Sequence, residues 1–171
     1  MSGMEPGADR AAAVVLGFLK ACADEGLVTL LGATDRAFDV MVPSYWKESI
    51  AATLEIGERS LRAEAFFMRA PEDDAGRAYR VLLERNHRSR AWRFAAGETG
   101  DVWLVADLPL AAVDDESLDQ LLGGLVTLVD ETYRPYFRLA FAAALAEQMA
   151  AGGPGIDAVP PWAADPRRPA P

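Results

Sequence analysis

Two short runs of alternating residues, close together in the chain, do most to limit the folds open to it. Ala52, Leu54 and Ile56 alternate with Thr53 and Glu55, and after Gly57-Glu58-Arg59-Ser60 the residues Leu61, Ala63, Ala65 and Phe67 alternate with Arg62, Glu64 and Phe66. Successive residues of a strand point to opposite faces, so each run presents one continuous apolar face. A short polar link leaves no room for the long crossover that parallel strands require. The runs therefore form an antiparallel hairpin.

The neighbouring segments extend this pattern. Phe38, Val40 and Val42 alternate with Asp39 and Met41 until Pro43, which adds a strand before the hairpin. Trp92 and Phe94 flank Arg93, Gly97-Glu98-Thr99-Gly100 supplies a turn, and Asp101 to Leu108 is apolar on both faces. That last strand is expected to be central or covered on both sides. Three segments carry helical spacing instead. Asp9 is placed to cap a helix with Val14, Val15, Phe18, Leu19 and Cys22 on one side and Gly26 past its end. Pro71-Glu72-Asp73-Asp74 opens a second helix whose stripe is Ala75, Ala78 or Tyr79, Leu82 and Asn86, with Arg85, His87, Arg88 and Arg90 at its negative end. Asp114-Asp115-Glu116 opens the last, whose wide stripe includes Leu118, Leu121, Leu125 and Val129; a bend is expected at Pro135, with helix running on toward Ala150. The connection between Gly26 and Phe38 has no clear pattern. The resulting order, α-β-β-β-α-β-β-α, is that of an α+β fold with an antiparallel five-stranded sheet.

Composition sets the class. At 171 residues and a net charge of −9, one domain is expected over residues 9–151, after a flexible N-terminus at 1–8. Residues 152–171 hold Pro154, Pro160, Pro161, Pro166, Pro169 and Pro171 and read as a disordered tail, in which Trp162 is a candidate docking element. An acidic chain repels phosphate backbones and anionic lipid, so neither nucleic acid nor a membrane is the expected partner. Cys22 is the only cysteine, and the N-terminus lacks the basic start of a secretory signal; a cytoplasmic location follows as an expectation.

Catalytic chemistry finds little to work with. Neither glycine-rich nucleotide fingerprint is present, and His87, the single histidine, sits among arginines that oppose its protonation. Asp73-Asp74 and Asp114-Asp115-Glu116 stand where helix starts favour carboxylates, and Arg85, Arg88, Arg90 and Arg93 read as a solvated face. The chain is expected not to be an enzyme, with no cofactor and no metal.

Capping and core packing leave one group of residues unexplained. If Leu61, Ala63, Ala65 and Phe67 face the helices, then Phe66 and Met68 point the other way, as do Trp103 and Val105 opposite Val102, Leu104 and Ala106, and Met41 joins them. A solvated sheet face is normally polar, so Met41, Phe66, Met68, Trp103 and Val105 among Asp39, Arg62, Glu64, Arg93 and Asp107 suggest a face that another chain covers. Cover by a helix of the same chain is the alternative.

Ala78-Tyr79-Arg80-Val81-Leu82-Leu83-Glu84-Arg85-Asn86, followed by Phe94, Gly100-Asp101-Val102-Trp103-Leu104, Leu108-Pro109-Leu110 and Leu118 to Gly123, resembles the bacterial YbjN-domain family, as does Asp130-Glu131-Thr132-Tyr133. The resemblance implies a fold like that of type III secretion chaperones, small α+β proteins, often dimeric, that hold partner polypeptides. On that basis a chaperone-like protein-binding domain is expected, as a homodimer or with a protein partner. The family is also labelled a sensory transduction regulator, which gives the alternative of a regulatory domain binding a small ligand between sheet and C-terminal helix. An enzyme using Asp101, Asp114 or Asp115 comes third.

Overall fold

The computed structural model describes residues 6–164. In chain order it contains α1 (Pro6–Asp24), β1 (Thr29–Ala33), β2 (Ala37–Ser44), β3 (Glu48–Ile56), β4 (Ser60–Met68), α2 (Ala75–Arg88), β5 (Arg93–Ala96), β6 (Val102–Pro109), α3 (Asp115–Ala140) and α4 (Ala142–Ala150). One sheet of order β1-β2-β3-β4-β6-β5, antiparallel at every pairing, carries the helices on a single face. The fold is α+β, as expected, but with six strands rather than five. The extra strand, β1, is hidden in the sequence because its register with β2 shifts between Leu30 and Gly32, and that bulge breaks the two-residue period.

Helix α1 begins at Pro6, so Asp9 lies within its first turn instead of ahead of it. Its buried stripe is Ala8, Ala11, Val15 and Leu19. It ends with Gly26 at φ 75°, where Gly26 N–H donates to the Ala23 carbonyl and Leu27 N–H to that of Cys22. Only glycine adopts this left-handed turn without strain.

The last helix departs from expectation. It passes through Pro135 and breaks at Phe141 (φ −138°, ψ 38°), after which α4 begins. Proline lacks the N–H that the Glu131 carbonyl would accept in a regular helix. The Arg85 guanidinium donates to that carbonyl instead, at 3.3 Å, while pairing with the Glu131 carboxylate at 3.3 Å. At the break, the Ala140 carbonyl accepts from the N–H groups of Glu72 (2.8 Å) and Asp73 (2.9 Å), and the Asp73 carboxylate accepts from Ala143 N–H at 3.0 Å. The loop before α2 thus ends one helix and caps the next.

The core lies between the sheet and the helix layer. Phe67 stands edge-on to both Phe94 and Tyr136, and the fully enclosed Trp92 donates its indole N–H to the Leu121 carbonyl at 2.8 Å. Each large side chain so enclosed contributes ~1.5–3 kcal/mol.

The Pro-rich segment, expected to be disordered from residue 152, instead follows a course along α3 as far as Ala164. Asp157 pairs with Arg134 and Arg138, and the Trp162 indole donates to the Tyr45 carbonyl at 2.6 Å. Side-chain bonds hold it, together with backbone bonds from Gly153 N–H to the Gln148 carbonyl and from Ala163 N–H to that of Pro160. Of the expected flexible N-terminus, residues 6–8 belong to α1; residues 1–5, like the tail beyond 164, lie outside the described residues.

Candidate functional site

Strand pairing gathers the residues of the uncovered sheet face into ranks. Met41 stands opposite Ala51, and Phe66 opposite Trp103, which is flanked by Ala95. Since Ala52 pairs with Ala65, the next step along brings Ala51 beside Phe66. These residues form one apolar rank across five strands. The adjacent rank is mostly polar: Asp39, Thr53, Glu64, Val105 and Arg93. Beyond it come Glu55, Arg62 and Asp107.

The apolar rank is open to solvent. Trp103 is 38% exposed, and Leu31, pushed out by the β1 bulge, is 58% exposed. Phe66 and Trp103 meet edge to face with ring centroids 5.2 Å apart, and Gly97 lies close under the Trp103 indole. Leu31, Asp39, Thr53, Glu64, Phe66 and Trp103 border a shallow depression of about 420 Å³.

Charge is arranged around this rank rather than within it. Arg62 donates to Glu64 at 2.7 Å, a bond that holds the guanidinium pKa above its ordinary value, and Thr53 donates to Asp39 at 2.7 Å. The Lys47 ammonium lies 5.6 Å from the Phe66 ring centroid and donates to the Ser49 carbonyl at 3.1 Å; burial pushes its pKa down. An aromatic and sulfur-bearing strip with a mixed-charge border is suited to docking, because apolar area supplies affinity and the rim supplies register.

Of the five residues singled out from the sequence, Met41, Phe66, Trp103 and Val105 lie on this face. Met68 does not join them. The register of β4 shifts between Phe66 and Met68, setting Met68 opposite the core residue Val102, and it packs against the edge of the core. A one-residue shift exchanges the faces of a strand.

The carboxylates considered for chemistry have structural partners. Asp74 caps α2 through Arg77 N–H, Asp114 forms a capping box with Ser117, and Asp101 accepts from Ala70 N–H at 2.8 Å. His87 is exposed on α2. Among the described residues no cluster of His, Cys, Asp and Glu is arranged to hold a metal, and no helix is long and apolar enough to cross a membrane.

Two features were not foreseen. The Asp130 carboxylate of α3 accepts from the Ser44 hydroxyl (2.7 Å), Trp46 N–H (3.0 Å) and Tyr45 N–H (3.2 Å), tying down the β2–β3 turn. An aspartate at helical spacing from Val126, Tyr133 and Phe137 was the available signal. The other feature is the aromatic groove that the C-terminal segment occupies.

Residues 20–137 match the YbjN family, described as "Putative bacterial sensory transduction regulator". The uncharacterized protein Rv0487 of Mycobacterium tuberculosis is 33% identical over 114 residues, 67% of this chain and 62% of that protein, so the match leaves over a third of the relative unspanned. Among solved structures, a chain of the ExsC–ExsE complex is similar with a TM-score of 0.52 and 21% identity, covering 77% of this chain and 98% of that one. A chain from the complex of the Yersinia pestis type III secretion chaperone SycH with a fragment of YscM2 has a TM-score of 0.48 and 18% identity, covering 72% and 97%. With residues 20–137, more than two thirds of its length, matched, the chain belongs to the YbjN family.

Proposed function

We propose that this chain is a non-enzymatic, chaperone-like protein-binding domain that takes a partner polypeptide, or a second copy of itself, on the uncovered sheet face. The observation that carries this reading is the apolar rank Met41, Ala51, Phe66 and Trp103, which no helix of the chain overlies among the described residues. Removing two or three such side chains from water is worth ~1.5–3 kcal/mol each, enough to anchor an interface of standard size, ~1,200–2,000 Å². The fold likeness to a chain of the ExsC–ExsE complex supports the same reading, since that chain was solved bound to another protein.

The sheet edges favour the face over edge pairing. β5 is closed by Asn86, whose side-chain amide bonds both the N–H (2.7 Å) and the carbonyl (3.0 Å) of Phe94, and β1 is short and bulged. The space between sheet and α3 is filled by Leu118, Leu125, Val129 and Tyr136, all fully enclosed, so a small ligand there would have to displace core.

Sedimentation velocity across a concentration series, on the wild type and on Phe66→Ser/Trp103→Ser, tests the reading, paired with affinity capture by each. The expected result is self-association, or a captured protein, that weakens at least tenfold in the variant. A wild type that stays monomeric and captures nothing overturns it, as does a complex that the variant leaves intact.

A further inference from the structure

The groove under the C-terminal segment lies at the end of the sheet where the β2–β3 turn meets α3 and α4, apart from the apolar rank. Its walls are Trp46, Tyr133, Phe137 and Leu145, and the Arg134 Cζ stands 3.8 Å from the Trp46 ring centroid. Into it run residues 153–162. Gly153 N–H donates to the Gln148 carbonyl, and the Gln148 amide donates to the Pro154 carbonyl at 2.7 Å. Asp157 sits between the guanidinium groups of Arg134 and Arg138, Pro160 is buried, and the Trp162 indole donates to the Tyr45 carbonyl.

This seating has the form of recognition by a reader of short linear segments. An arginine pair selects a carboxylate, aromatic walls take proline and aliphatic side chains, and a turn carbonyl selects an indole donor. The seating is also loose. An open pocket of about 210 Å³ remains between segment and walls, and Val159 is 73% exposed. A segment held this way in cis is favoured chiefly by its tether, which gives it an effective concentration in the millimolar range.

We propose that this groove is a docking site for a short, acidic, proline-containing segment of a partner protein that ends in tryptophan, and that residues 153–162 occupy it as an internal stand-in until such a segment displaces them. The proposal does not depend on the uncovered sheet face.

The probe is a dye-labelled synthetic peptide of residues 152–164, followed by fluorescence anisotropy against the full chain and against Asp157→Lys/Trp162→Ala, which releases the chain's own segment. The released variant is expected to bind the peptide at least tenfold more tightly than the wild type, and Arg138→Glu in that background to abolish binding. Equal binding by wild type and variant, or none by either, overturns the proposal. Should the variant lose its native circular dichroism, hydrogen exchange on the wild type decides: excess unlabelled peptide must speed exchange in residues 155–164, and no change overturns the proposal. Self-association of the wild type that free peptide reverses assigns the groove to a second copy's segment and overturns the assignment to a different partner.

Discussion

Asp130→Ala removes the single carboxylate that joins α3 to the β2–β3 turn, and its cost can be worked from three bonds. The carboxylate accepts from the Ser44 hydroxyl at 2.7 Å, from Trp46 N–H at 3.0 Å and from Tyr45 N–H at 3.2 Å. Hydrogen bonds to a charged acceptor contribute ~1.5–3 kcal/mol net when buried, and neutral ones ~1 kcal/mol. Ser44 is fully buried, so its bond is taken at about 1.5 kcal/mol; water can reach the half-buried turn, so the two backbone donors are taken at about 1 kcal/mol each. The expected loss is about 3.5 kcal/mol, or a fall in Tm of roughly 7–14 °C for a domain of this size. Urea unfolding followed by far-ultraviolet circular dichroism measures it. Asp130→Asn keeps an acceptor oxygen without the charge and is expected to lose about half as much. A loss below about 1 kcal/mol for the alanine variant, or equal losses for both variants, would refute the account of this residue as a turn clamp.

Three further expectations rest on particular contacts. The Tyr136 hydroxyl is buried with no hydrogen-bond partner among the described residues, so Tyr136→Phe is expected to stabilise by ~1 kcal/mol; destabilisation by as much in urea unfolding refutes this. Gly100→Ala forces a side chain onto φ 84° and sets its Cβ 3.1 Å from the Tyr79 hydroxyl, for an expected cost of ~1–3 kcal/mol, and an unchanged midpoint would count against it. Burial raises the pKa of Tyr133, Tyr136 and Cys22, so the folded chain keeps protons that the unfolded chain releases, and stability is expected to fall as pH rises above about 9–10. Lys47, lowered by burial, acts in the opposite sense below its ordinary value and only softens the onset. Absorbance at 295 nm should show tyrosinate at Tyr136 forming only with unfolding. A Tyr136→Phe titration identical to that of the wild type would refute this.

How much of the candidate site was legible depended on the kind of pattern involved. Phe66, Trp103, Met41 and Val105 could be assigned to one face because alternation in a strand is local and sets side-chain direction directly. Met68 was misassigned because a bulge leaves no mark in composition, and Leu31 went unnoticed because its own bulge destroyed the alternation that would have marked β1. The spacing puts Asn86 on the stripe of α2, but its amide serves the edge strand β5 eight residues later. The acids before α2 were read as serving that helix alone, whereas Asp73 caps α4, 70 residues away in the chain. Carboxylates at helix starts are easily recognised, but which helix they serve depends on packing.

Outside the Gly26–Phe38 stretch that hides β1, the residue pattern by itself determined which segments are helix and which are strand, that neighbouring strands pair as hairpins, and that one sheet face would be apolar beyond what solvation favours. These follow from side-chain periods of two and of 3.6 residues and from link lengths, all of which act over a few positions. Tertiary structure alone decided the order β1-β2-β3-β4-β6-β5, the break at Phe141 rather than Pro135, and the return of the Pro-rich segment to an aromatic groove. The break and the return each turn on a donor meeting an acceptor from a distant part of the chain: Arg85 for the carbonyl that Pro135 leaves unpaired, Glu72 and Asp73 for that of Ala140, the Trp162 indole for that of Tyr45. Such bonds form only after the layers have packed, so no local pattern carries them.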